Sequence, residues 1–98
     1  MAVQRDYEIM ILLTEEFNES ELKTWAFNYA KALQNLSASE ISVISRGKRD
    51  LAYWIKSQKK GNFIQINFSS MPKYLEKFIY DLKFDTNVLR FLILNKKD

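Results

Sequence analysis

Along this chain the hydrophobic period runs two, then 3.6, then two through a long stretch, then 3.6, then two again. That succession spells strand, helix, strand, strand, helix, strand, and few packed architectures accept it. Tyr7-Glu8-Ile9-Met10-Ile11-Leu12-Leu13 is β-branched and apolar and stops at the polar group Thr14-Glu15-Glu16, which predicts a central first strand. Asn18 stands three residues before Glu21, with Phe17 and Leu22 at the spacing of a hydrophobic staple, so a helix starts there. Leu22, Trp25, Ala26, Tyr29, Leu33 and Leu36 then lay one apolar stripe along it, and Ser37-Ala38-Ser39 closes it.

From Glu40 the pattern turns β-like again. Ile41, Val43 and Ile44 lead through Arg46-Gly47-Lys48-Arg49-Asp50 to Leu51-Ala52-Tyr53-Trp54-Ile55, one long strand with Gly47 as the natural place for a bulge. The polar, basic segment Lys56–Asn62 predicts a hairpin loop, and Phe63–Phe68 alternates cleanly as the returning strand. Pro72 suits the first position of a second helix with its stripe at Leu75, Phe78, Ile79 and Leu82. Asp85-Thr86-Asn87 breaks that helix, and Val88–Leu94 is the last strand.

Two βαβ halves with right-handed crossovers give an α+β, ferredoxin-like βαββαβ sandwich: a four-stranded antiparallel sheet with two helices on one face. The other face must then meet water or a partner. Alternation sets Ile9, Ile11 and Leu13 against Met10 and Leu12, and Ile64, Ile66 and Phe68 against Phe63, Gln65 and Asn67. On the last strand Leu89, Phe91 and Ile93 oppose Val88, Arg90, Leu92 and Leu94. An uncovered face carrying Met10, Leu12, Phe63 and Leu92 reads as a protein-docking surface.

With 98 residues, 47% of them hydrophobic, the chain has material for a single domain over 1–98. It contains neither cysteine nor histidine, which removes disulfides, thiolate metal sites, the usual zinc ligands and every triad that uses histidine. Glu15, Glu16, Glu19 and Glu21 cluster where they complement a helix dipole, and Gly47 and Gly61 are isolated glycines, not a phosphate loop. The chain therefore reads as a non-enzyme without a cofactor or small-molecule substrate. No apolar run approaches the roughly 20 residues of a membrane helix. Met1–Asp6 has no signal-peptide character, so the chain is expected to be soluble and to work where it is made unless a targeting peptide precedes it.

The net charge of +3, from 15 basic and 12 acidic side chains, is too small for binding nucleic acid by charge alone. Any RNA contact is expected to be local and shared with a partner. The densest basic neighbourhood is Arg46, Lys48 and Arg49 with Lys56, Lys59 and Lys60, and Tyr53 and Trp54 lie within it. Cations beside aromatic planes suit phosphates and unpaired bases, although a solvated edge hairpin with aggregation-blocking lysines has the same composition. An RNA recognition motif fits poorly, because Asn62 and Ile64 occupy the positions where that motif wants aromatics.

Arg49-Asp50-Leu51-Ala52-Tyr53-Trp54-Ile55 resembles the Arg-x-Leu-Ala-Tyr-Pro-Ile stretch of the family of bacterial small-subunit ribosomal protein six. Tyr7-Glu8, the Gly61-containing hairpin, Met71-Pro72 and Asp85-Thr86-Asn87-Val88-Leu89-Arg90 follow in family order, so the likeness spans essentially the whole chain. The Arg46-Gly47-Lys48-Arg49 lead-in resembles cyanobacterial and plastid members. The chain departs from the family at Trp54, which replaces the usual proline, and lacks the acidic C-terminal extension of some members.

The resemblance implies a ribosomal protein of the bacterial cytoplasm or plastid stroma, bound to small-subunit (16S) rRNA beside ribosomal protein eighteen. On that reading Tyr7, Arg46, Lys48, Arg49, Tyr53, Trp54, Lys56 and Arg90 are the expected RNA contacts, and Met10, Leu12, Phe63 and Leu92 the protein contacts. The alternative is a ferredoxin-like regulatory or ligand-binding module that self-associates through its open sheet face. An acylphosphatase-like enzyme on the same fold lacks a phosphate cradle.

Overall fold

The computed structural model describes residues 4–96. Its elements are β1 (Arg5–Thr14), α1 (Glu19–Asn35), β2 (Ser39–Ile55), β3 (Gln58–Ser70), α2 (Pro72–Lys83) and β4 (Val88–Lys96), and the four strands form one antiparallel sheet in the order β2-β3-β1-β4. This is the expected βαββαβ sandwich.

Local chemistry explains the helix ends. The Asn18 side chain accepts from the Glu21 N–H at 2.8 Å while the Glu21 carboxylate accepts from the Asn18 N–H at 3.0 Å, so two otherwise orphan donors are satisfied reciprocally. Past the end of α1, Ser37 takes a left-handed φ of 64°. Its N–H donates to the Gln34 carbonyl at 3.0 Å and the Ala38 N–H to the Leu33 carbonyl at 2.9 Å, the pattern of a Schellman cap. Pro72 opens α2 where its missing N–H costs nothing.

Packing follows the alternation. On the helix-covered face, Val43, Ile66, Ile9 and Ile93 form one cross-strand row and Ser45, Ile64, Ile11 and Phe91 the next. Trp25 and Leu33 of α1 and Phe78 and Leu82 of α2 close over these rows. Aromatic rings carry the packing across the layers: Trp25 to Tyr29 (4.2 Å between centroids), Tyr29 to Phe78 (5.7 Å), Phe78 to Phe68 (5.6 Å) and Phe68 to Tyr7 (5.6 Å).

Three details differ from the sequence reading. A register shift between Leu12 and Leu13 pairs Leu13 with Val88, so Val88 faces the helices and joins the core instead of the open side. The hairpin loop is not Lys56–Asn62 but a two-residue turn at Lys56 and Ser57, both with positive φ, and β3 already begins at Gln58. Gly61 consequently lies inside a strand, opposite Thr14 on one side and Arg49 on the other.

Candidate nucleic-acid and protein interface

The face away from the helices is read as rows across the sheet. Ser42, Asn67, Glu8 and Leu94 form one row, Ile44, Gln65, Met10 and Leu92 the next, then Gly47, Phe63, Leu12 and Arg90. Apolar surface is concentrated toward the β4 edge, where Leu92 is 59% and Leu94 44% exposed, and it recurs at Ile44 on the β2 edge. Met10 and Phe63 are half-buried between them. Ile44 and Leu94 are not among the expected protein contacts; Leu94 shares the parity of Leu92 and is legible by alternation, whereas the place of Ile44 is set by the β2–β3 register.

Leu12 is a correction. It points to the open face, yet only 5% of it is exposed, because its side chain leans over Gly61, where a β-carbon would otherwise stand. The accessible apolar surface of this face is therefore that of Met10, Phe63, Leu92 and Leu94 and not of Leu12.

A polar chain crosses the same face. The Arg46 guanidinium donates to Gln65 Oε1 through Nε at 3.1 Å and also through Nη2, and Gln65 Nε2 donates to Glu8 Oε1 and to Asn67 Oδ1, each at 3.2 Å. Alternation after Ser45 puts Arg46 on this face, and Arg46 is the extra residue of a bulge at which Gly47 adopts φ 86°, so that Gly47 also falls on the open side and Lys48 on the other. Arg49 donates through Nε to the Arg46 carbonyl at 3.3 Å. Arg46 and Arg49 thus flank a shallow depression with Met10 and Phe63, two forks oriented by the neutral acceptors Gln65 and the Arg46 carbonyl.

Beyond Asp50 the β2–β3 hairpin carries a wide bulge, with Leu51-Ala52-Tyr53-Trp54 set against the single residue Lys59. Tyr53 is 62% and Trp54 64% exposed, and the Lys59 ammonium sits 5.9 Å from the Trp54 ring centroid. Lys60 pairs with Asp50 at 3.8 Å on the exposed edge. The tip is anchored to the body: Gln58 Oε1 accepts from Thr14 Oγ1 at 3.0 Å and from the Glu15 N–H at 2.9 Å, and Lys56 Nζ donates to the Val88 backbone carbonyl at 3.4 Å.

Of the expected RNA contacts, Arg46 and Arg49 share one depression on the open face, and Tyr53 and Trp54 share the hairpin bulge. Lys48 pairs across from Asn62 on the opposite side of the sheet, exposed at the edge. Lys56 and Arg90 meet at a separate depression at the start of β4. Tyr7 is the second correction: it lies on the helix face, 5% exposed and packed on Phe68, so its ring cannot stack on a base.

A model of the family described as "Ribosomal protein S6" matches residues 6–95. The chain belongs to the ribosomal protein S6 family. It is 79% identical over 96 residues, 98% of this chain and 100% of the relative, to small ribosomal subunit protein bS6c of Trieres chinensis. The bS6c of Phaeodactylum tricornutum is 66% identical over 97 residues, covering 99% of each chain, and the bS6 of Synechocystis is 34% identical over 86 residues, covering 88% of this chain and 76% of the relative. Among solved structures, 30S ribosomal protein S6 of Thermotoga maritima superposes with a TM-score of 0.87 at 21% identity, over 96% of this chain and 89% of that one, a likeness of fold. Relatives of the S6 family thus come from plastids and from cyanobacteria.

Proposed function

We propose that this S6-family protein binds small-subunit rRNA together with ribosomal protein eighteen, as a structural part of the small subunit in a plastid stroma or a bacterial cytoplasm. The observation that carries this reading is the composition of the open face. It joins exposed Leu92 and Leu94 to a depression walled by Arg46 and Arg49, with the exposed rings of Tyr53 and Trp54 on the adjoining hairpin. A protein partner suits the apolar side, where burial of about 25 cal/mol per Å² drives docking. RNA suits the cationic and aromatic side, where Arg forks neutralise phosphates and rings stack on unpaired bases. The net charge of +3 favours a shared site over an independent one. Nothing in this role requires catalysis, a cofactor or a small-molecule substrate.

The test is calorimetric titration with ribosomal protein eighteen and then with a transcript of the rRNA central domain. Binding of the partner by the wild type, its loss in Leu92→Glu, and tighter RNA binding in the partner's presence are expected. A stable homodimer that neither partner nor RNA disturbs would instead favour a self-associating module.

A further inference from the structure

Gln65 is a buried polar side chain in the middle of the open face. Alternation along β3 sets it between Phe63 and Asn67 on that side, and register sets it between Ile44 and Met10, with only 7% of it exposed. An amide so enclosed needs partners for both its oxygen and its NH2 group. Gln65 Oε1 accepts from Arg46 Nε at 3.1 Å and from Arg46 Nη2, and Gln65 Nε2 donates to Glu8 Oε1 and Asn67 Oδ1, each at 3.2 Å. Asn67 Nδ2 continues the chain to Ser42 Oγ at 3.4 Å.

These partners allow the amide one orientation. Turned over, its NH2 would meet the N–H groups of the guanidinium and its oxygen would meet the Glu8 carboxylate, so the contacts to both charged groups would become repulsive. Glutamine is also the side chain that orients a cation here without cancelling it. A carboxylate at position 65 would hold the same N–H groups but neutralise the guanidinium and oppose Glu8, and an apolar side chain would let the guanidinium swing free. Gln65 takes up the Nε edge of Arg46 and one Nη2 hydrogen, which leaves the Nη1 hydrogens and the other on Nη2 for the oxygens of a ligand. Arg46 itself is exposed, so a ligand can reach the fork while the amide that holds it stays covered. Among the described residues the ion pairs are Lys60 with Asp50 and Lys77 with Asp81, so Arg46 is fixed by this amide and not by direct contact with a carboxylate.

We infer that Gln65 is a positioning residue for RNA binding: it fixes the Arg46 guanidinium beside the depression shared with Met10 and Phe63, so that the fork meets a phosphate already oriented. The inference rests on the RNA-binding reading above and adds the residue that sets the geometry of one of its contacts. An unrestrained arginine gives up its side-chain rotamers on binding, whereas one already fixed to a buried amide does not, and the difference appears as affinity. Positioning and charge are then separable. Gln65 carries no charge, so it adds nothing to the counterion release that sets the salt dependence, whereas Arg46 does.

The test is a filter-binding salt series with the central-domain rRNA transcript, ribosomal protein eighteen present, for wild type, Gln65→Met, Arg46→Gln and the double variant. Gln65→Met is expected to lower affinity roughly three- to tenfold with the slope of log K against log salt unchanged, and Arg46→Gln to reduce that slope by about one. On the Arg46→Gln background, Gln65→Met should cost nothing more. A merely structural role would weaken both backgrounds equally, and that result, or wild-type affinity in Gln65→Met, overturns the inference. Should Gln65→Met fail to fold, Gln65→Glu carries the same test: it keeps the bonds to Arg46 but neutralises it, so the slope should fall by about one when Arg46 is present and not on the Arg46→Gln background. An unchanged slope there overturns the inference as well. If the wild type binds and Arg46→Gln binds equally well, the positioning role falls while the RNA reading stands on its other contacts. If the wild type itself fails to bind, the RNA reading fails and the positioning role with it.

Discussion

Leu12 occupies the space that a side chain on Gly61 would need: a β-carbon built on Gly61 would overlap Leu12 Cδ1 and stand 3.1 Å from both Leu12 Cγ and the Leu13 carbonyl oxygen. The glycine is required for close approach, not for a turn, since its φ is not among the positive ones. Gly61→Ala is therefore expected to cost about 1–3 kcal/mol by overpacking. Urea denaturation measures it, and the same substitution made on a Leu12→Ala background should cost distinctly less. Equal costs in both backgrounds would show that Leu12 is not what the glycine accommodates.

Asp85, just past the end of α2, ties that end to the middle of α1. Its Oδ2 accepts from Trp25 Nε1 at 3.0 Å and from the Tyr29 hydroxyl at 2.7 Å, and its Oδ1 accepts from the Asn87 N–H at 2.9 Å. Asp85→Asn has one acceptor oxygen for three donors and turns an amide N–H against at least one of them. A loss of about 1.5–3 kcal/mol is expected, read from the urea midpoint.

The same cluster sets an alkaline limit on stability. Burial, then the hydrogen bond to Asp85 and the negative charges of Asp85 and Asp81, push the Tyr29 phenol well above its ordinary value of 10.0. The unfolded chain then ionises first as pH rises, so Tyr29's contribution is fully present below about pH 10 and is lost progressively above it. Tyr29→Phe should flatten the fall in melting temperature between pH 9 and the onset of alkaline unfolding, relative to wild type. A parallel fall in both proteins would assign the alkaline loss to other groups.

Much of this architecture is legible because period and capping are local. Asn18 with Glu21, Pro72, and the parity of Ile9, Ile11, Ile64 and Ile66 are direct consequences of residue spacing. What was hidden depends on register. One bulge at Leu12 and Leu13 reverses the facing of Val88, and no local signal in Val88-Leu89-Arg90 announces it. The hairpin turn at Lys56 and Ser57 lacks the Asn-Gly signature of its geometry, so the basic, glycine-containing segment after it was read as loop. Tyr7 shares the parity of Ile9 and Ile11, and that parity correctly implies burial where the family likeness suggested exposure.

Ser37 sits in the left-handed position of the α1 cap, with φ 64°, where a side chain is disfavoured and glycine is not. Both cap hydrogen bonds use backbone groups, so a glycine keeps them. Ser37→Gly is expected to change stability by about +0.5–1 kcal/mol and Ser37→Val to lower it by a similar or larger amount. Calorimetric melting of the pair decides it, and a lower melting temperature for the glycine variant would contradict the cap assignment.

Trp54 stands in the hairpin bulge where the family likeness carries a proline. It is 64% exposed, its ring faces the Lys59 ammonium at 5.9 Å, and among the described rings Trp54 is not part of the core cluster. Removing it should therefore leave folding nearly untouched, within about 0.5 kcal/mol for Trp54→Ala. If the bulge stacks an unpaired base, the same change should weaken binding of the central-domain rRNA transcript by about 1–3 kcal/mol, and Tyr53→Ala should act similarly. Fluorescence gives an independent reading: Trp25 is 7% exposed and held by Asp85, so quenching on RNA addition should vanish in Trp54→Phe and persist in Tyr53→Phe. Undiminished affinity with quenching retained in Trp54→Phe would remove the hairpin rings from the RNA surface and leave it to Arg46 and Arg49.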